Sequence, residues 1–269
     1  MNILVFILLG LFSVQSYALE YHGVLTQGGV LFGKSSDGGE IRLNGRRVEV
    51  SDSGYFVVGF GRDAQLNQML IHSTEQGAQE YPLTLKKRDY KTQYIEGVPQ
   101  KTVNPPPERL ERIRKETALV KSARKTMLDR TDFITKFVVP SEGRVTGVYG
   151  SQRVYNGVPK RPHYGIDYAG PTGDPVIAPA SGVVTLVHPD MYYSGGTLIV
   201  DHGYGLSSTF IHLSEILVEE GDEIRQGDVI AKIGSGGRST GPHLDWRMNW
   251  LDQRVDPAIV LDIDLPKGF

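Results

Sequence analysis

Residues 163–169 read His163-Tyr164-Gly165-Ile166-Asp167-Tyr168-Ala169, and residues 241–246 read Gly241-Pro242-His243-Leu244-Asp245-Trp246. In an extended strand, residues an even number apart share one face. His163 with Asp167, and His243 with Asp245, therefore each present an imidazole and a carboxylate to the same side. Between them Ser208-Thr209-Phe210-Ile211-His212-Leu213 brings a further histidine on a strand-like run. Rigid strands that aim several imidazoles and carboxylates at one place suit a metal ion. Zinc takes histidine nitrogen and aspartate oxygen, and its catalytic sites use three protein ligands plus water.

Working outward, the chain from about 137 to 261 is dense in Gly and Val and reads as continuous β structure. His202, in Asp201-His202-Gly203, falls where a strand turns and reads as structural; His188 beside Pro189 reads as a loop residue. Trp246 and Trp250 fit a hydrophobic core. Gly234-Ser235-Gly236-Gly237 lacks the Lys-Ser/Thr that a phosphate loop needs, and a serine hydrolase is not expected. Residues 221–234 resemble the hairpin motif of biotinyl and lipoyl carriers, but Lys232 sits inside a strand pattern, away from a turn.

Residues 19–100 show short strands and tight turns. The run Glu40-Ile41-Arg42-Leu43, then Asn44-Gly45, then Arg46-Arg47-Val48-Glu49-Val50 predicts a type I′ hairpin, because both turn residues tolerate positive φ. With strands expected at 55–60, 68–73, 81–86 and 90–95, the spacing predicts a small immunoglobulin-like β-sandwich without the Cys–Trp–Cys signature. His22 and His72 read as ordinary structural or surface histidines. Residues 101–136 form a connector: Pro105-Pro106-Pro107 is a stiff break, and Leu110, Ile113, Val120, Ala123 and Met127 recur at helical spacing among basic residues. That pattern predicts one amphipathic helix over 108–128, packing a stripe on its neighbour and leaving a basic face in solvent.

The 269 residues carry 29 Lys+Arg against 31 Asp+Glu, a net charge of −2, with no cysteine. This balance argues against a nucleic-acid partner. Without cysteine there is no disulfide, thiolate metal ligand or thiol nucleophile. Residues 2–12 are apolar and uncharged, and Ser16-Tyr17-Ala18 is a small-residue cleavage pattern, so residues 1–18 read as a secretory signal peptide. The expected address is the periplasm or the exterior.

The segment from Val138 to Pro257 resembles the M23 family of zinc metallopeptidases, the LytM or lysostaphin-type domain. His163–Asp167 matches the family's H-x-x-x-D motif, His212 its intervening histidine, and His243 the first histidine of its H-x-H motif. The resemblance implies an all-β peptidase domain over 137–269 and a mainly β protein. It also implies one Zn2+ held by His163, Asp167 and the residue at position 245, with His212 and His243 as the catalytic histidines. The implied activity is a zinc-dependent metalloendopeptidase cutting peptide cross-links of peptidoglycan through a zinc-activated water. This chain departs from the motif at Asp245, where the family has histidine. An aspartate oxygen and a histidine Nδ1 both lie two bonds from Cβ, so aspartate can take the ligand position, at the cost of a second negative charge on the set. The competing reading is a degenerate LytM-type domain that binds the wall or activates a separate amidase; an envelope regulatory protein as partner suits either.

Overall fold

The computed structural model of the chain describes residues 19–269; the signal peptide expected at 1–18 lies outside them. The first seven strands are β1 (Leu19–Gly23), β2 (Val30–Ser35), β3 (Glu40–Leu43), β4 (Arg46–Val48), β5 (Tyr55–Gly59), β6 (Asn67–Thr74) and β7 (Gly77–Thr84). They form two antiparallel sheets, ordered β1-β2-β5 and β4-β3-β6-β7. The β3–β4 turn is the one the sequence predicts: Leu43 pairs with Arg46, and Asn44 and Gly45 take φ of 50° and 81°.

A further strand, β8 (Thr92–Ile95), precedes a short helix α1 (Gln100–Val103) and the longer α2 (Leu110–Ala123). Helix α2 is shorter than the 108–128 expected. Pro107 to Arg109 form a 3-10 turn ahead of it, since proline suits a first turn but cannot continue a donor ladder. The expected apolar stripe is also only partly used. Val120 and Ala123 pack on Leu186, Met191 and Ile199, whereas Leu110 and Met127 are exposed. Glu116 is buried on the helix. It accepts from Arg112 Nε at 2.6 Å and from the Tyr192 backbone N–H at 2.8 Å, so a polar anchor fixes α2 where apolar contact is thin.

The rest of the chain is β9 (Arg144–Gly147), β10 (Gln152–Tyr155), β11 (Val158–Pro159), β12 (Gly165–Ala169), β13 (Pro175–Ile177), β14 (Gly182–Met191), β15 (Gly195–Asp201), β16 (Leu206–Ile216), β17 (Glu223–Ile224), β18 (Val229–Ile233), β19 (His243–Trp250) and β20 (Gln253–Val255). It closes on a helix the sequence reading did not foresee, α3 (Pro257–Asp262), started by the Asp256 side chain accepting from Ala258 N–H at 2.9 Å. Ten of these strands share one sheet, whose main path runs β17-β14-β15-β16-β19-β12-β9. Strands β11, β10 and β8 make a separate three-stranded sheet, in which β8 pairs in parallel with β10.

Alternation along β19 sorts its two faces. Leu244, Trp246, Met248 and Trp250 are buried in the core, while His243, Asp245, Arg247 and Asn249 point the other way. The core is continuous from the first strands to the large sheet. Phe133, fully buried, stacks on Phe32 of β2 at 5.9 Å and meets Tyr204 edge-on at 6.1 Å, tying the two halves together. Phe133→Ala is therefore expected to cost about 3–5 kcal/mol in urea unfolding, the usual loss for a buried phenylalanine.

Candidate metal centre

Strands β12 and β19 are antiparallel neighbours, and their register sets Asp167 directly opposite Asp245. His163 lies just before β12. Its Nε2 reaches Asp167 Oδ1 at 3.0 Å and Asp245 Oδ2 at 3.3 Å. All three side chains are buried, and one donor atom from each lies within 4.8 Å of the others.

Three observations fit this set to a zinc ion. His163 Nδ1–H donates to the Val148 carbonyl at 3.3 Å, which leaves Nε2 as the donor atom facing the carboxylates. His163 Nε2 and Asp167 Oδ1 are both buried without a hydrogen-bond partner, a costly arrangement unless something else binds them. The separations of 3.0 and 3.3 Å are close to the edge, about 3.3 Å, of a tetrahedron whose ligands lie about 2.0–2.1 Å from zinc.

Two arginines that the sequence reading passed over complete the cluster. Arg247 grips Asp245 with both arms, Nε to Oδ1 at 2.9 Å and Nη2 to Oδ2 at 2.6 Å. Arg153 of β10 donates to Asp167 Oδ2 at 2.5 Å. Burial would raise the Asp245 carboxyl, but Arg247 and His163 reverse this and hold it well below the usual carboxylate range. Asp167 is likewise held low: burial opposes ionisation, and His163 and Arg153 outweigh it. Burial disfavours the His163 imidazolium, yet Asp245 and Asp167 leave its pKa raised. Arg247 was detectable, because it lies two residues beyond Asp245 on the same strand face. Arg153 carries no local signal, since only the tertiary fold brings it to Asp167.

His212 and His243 stand beside the cluster, their ring centroids 4.7 Å apart. His243 Nδ1–H donates to the Gly241 carbonyl at 2.8 Å, and its Nε2 faces Asp167 Oδ1 at 3.9 Å. His212 Nδ1–H donates to the Gly236 carbonyl at 2.7 Å. Both rings are therefore fixed with Nε2 as the free nitrogen. Burial pushes His212 down to about 4, so it is neutral at neutral pH. Its backbone is unusual: φ is 67° in the middle of β16, where pairing with β15 and β18 shifts register. Such a bulge re-aims a side chain. His202 is on the opposite, core side, where Nε2 bonds Ser208 Oγ at 2.8 Å and Nδ1–H donates to the Ser181 carbonyl at 2.7 Å.

A cavity of about 480 Å³ opens over His243 and Asp167. Arg153, Arg238 and Tyr155 line one part, and Gln93, Tyr94 and Ile95 of β8 another. Arg238 is stacked between Tyr155 and Tyr193, at 4.9 and 4.8 Å.

The family model for peptidase family M23 matches residues 161–257. Over most of its length the chain superposes on the crystal structure of a Pseudomonas aeruginosa protein assigned to peptidase M23. The TM-score is 0.69 at 31% identity, covering 88% of this chain and 95% of that one. The chain belongs to peptidase family M23. Among curated M23 relatives, it is 36% identical over 117 residues to the peptidoglycan DD-endopeptidase ShyA of Vibrio cholerae, covering 42% of this chain and 26% of ShyA. It is 43% identical over 100 residues to the DD-carboxypeptidase/endopeptidase Mpg of Neisseria meningitidis, covering 37% of this chain and 23% of Mpg. The matched segments thus span about a quarter of these relatives' length.

The positive φ at His212 generates a direct test. His and Asn tolerate this region and a β-branched residue does not, so His212→Val should unfold at a lower temperature than His212→Asn, by the equivalent of about 1–3 kcal/mol. Equal melting temperatures would show that the backbone there is relaxed.

Proposed function

We propose that this M23 chain is a zinc-dependent endopeptidase of the bacterial envelope that cuts peptide cross-links of peptidoglycan. The observation that carries this reading is the buried His163–Asp167–Asp245 set with two oriented histidines, His212 and His243, beside it. The names of the curated relatives point to the same substrate. His163 Nε2, Asp167 Oδ1 and Asp245 Oδ2 would hold the ion. When bound, zinc supplies Lewis-acid polarisation of the scissile carbonyl and a water of lowered pKa. His212, neutral and fixed through Nδ1, is placed to take a proton at Nε2. His212 would then pass that proton to the leaving amine, while His243, which must carry a proton at Nε2 to do so, would hold the developing oxyanion. Arg153 and Arg247 keep both carboxylates ionised in a dry site. The seven N-terminal strands, read as an immunoglobulin-like accessory domain over 19–100, would position the peptidase domain over 137–269 through the connector over 101–136.

The test is muropeptide chromatography of cross-linked sacculi digested with the full chain, with and without a zinc chelator. Chelator-sensitive loss of cross-linked dimers is expected, and His243→Ala should abolish it while preserving the circular dichroism spectrum. An unchanged dimer fraction from folded protein would sink the endopeptidase.

One observation favours a second reading, a wall-binding or amidase-activating domain. The two carboxylates already meet two guanidiniums, so the cluster is balanced before a metal arrives. Arg247 thus competes with zinc for Asp245. Arg247→Met should tighten zinc, about tenfold or more in competition with a chromophoric chelator, and Asp245→Asn should weaken it. Weaker binding by Arg247→Met would show that the guanidinium orients Asp245 for the metal. A wild-type chain that takes up no zinc would move the weight to the second reading.

A further inference from the structure

A second cavity, of about 690 Å³, lies between the β3–β4 hairpin, the end of α2 and the β19–β20 hairpin. Its walls carry Arg46, Arg47, Lys121, Arg124, Lys125 and Arg254. Only two carboxylates face them. Asp252 is engaged by Arg46 at 2.5 Å and Glu49 by Arg47 at 3.3 Å. That leaves Lys121, Arg124, Lys125 and Arg254 with no carboxylate partner among the described residues. Arg124 is the most demanding of them. Its Nη2 donates to Thr209 Oγ1 at 3.0 Å, but its Nε is buried with no hydrogen-bond partner. The Arg254 guanidinium lies 4.2 Å over the Tyr164 ring and makes no side-chain hydrogen bond among the described residues.

Like charges gathered this way oppose one another. Burial, with Arg254 and Arg247 nearby, pushes Arg124 down to about 9; burial and Arg247 push Arg254 down to about 10. An uncompensated guanidinium pair in a half-enclosed groove is costly unless an anion joins it. We propose that this groove is a binding site for a multiply charged phosphate-bearing ligand, gripped by Arg124 and Arg254 with Lys121 and Lys125 at the rim. A phosphoryl group offers up to two negative charges and three acceptor oxygens, and the guanidinium fork matches that geometry. A single carboxylate would leave most of the surplus of four positive charges unanswered. The phosphate belongs either to the headgroup of an anionic lipid or to a soluble or polymeric phosphate.

The experiment is calorimetric titration of the full chain with inorganic pyrophosphate at about 0.15 M salt, where loose surface attraction is screened. Two variants at the rim, Lys121→Glu with Lys125→Glu, are compared with Arg109→Glu plus Arg114→Glu, an equal charge change at exposed positions elsewhere on the connector. Arg124→Met serves as the direct test if it folds; the exposed lysine pair carries the test if it does not. Binding by the wild type, weakened about tenfold or more by the rim variant and retained by the control, is expected. No binding by the wild type, equal weakening by the control, or citrate binding as tightly as pyrophosphate would overturn the proposal. Sedimentation with vesicles of phosphatidylglycerol but not phosphatidylcholine, lost in the rim variant, would assign the lipid headgroup. Pyrophosphate binding without sedimentation would assign a soluble or polymeric phosphate.

Discussion

Two aspartates face each other across adjacent antiparallel strands, and much of the site follows from that pairing. Asp167 and Asp245 are register partners, both buried. Like charges directly opposite in a sheet are destabilising; two unit charges at about 4 Å cost about 4 kcal/mol even at an effective dielectric of 20. Such a pair persists only where cations flank it. Arg153 closes one end and Arg247 the other, with His163 Nε2 facing both carboxylates between them. The cluster is therefore a small ionic lattice inside the sheet, and each strand that contributes to it is held in register by charge as well as by backbone hydrogen bonds.

How much of this the sequence disclosed depends on the range over which each interaction acts. The even spacings of His163–Asp167 and His243–Asp245 were readable because a strand's side-chain period is local. So was the Asn44-Gly45 turn, which two residues specify by themselves. The helix was harder: the apolar spacing marked its existence, but its C-terminal end depends on Val120 and Ala123 meeting Leu186 and Ile199, and its anchor is the buried Glu116. Reading every periodic apolar residue as buried placed Leu110 and Met127 in a contact that the fold does not supply.

The guanidiniums were the least legible part. Arg153 meets Asp167 only through the tertiary fold, from a strand of a different sheet, and nothing in residues 152–155 marks that partnership. The conformation of His212 was equally hidden, since a positive φ within a strand arises from the register shifts of its neighbours. The candidate site residues come from residue types and spacing; the groups that set their charge and aim come from assembly.

The pairing of β8 with β10 has a consequence for how selectivity can change. Gln93, Tyr94 and Ile95 line the cavity over His243, yet they lie outside residues 161–257, where the chain follows its family. One side of the cavity is thus contributed by the N-terminal part of the chain and another by residues that the family model matches. Changing residues 93–95 would alter that first side without touching His163, Asp167 or Asp245. The two sides of the cavity thus sit on stretches of one polypeptide that are far apart in sequence, and one can be altered while the other stays as it is.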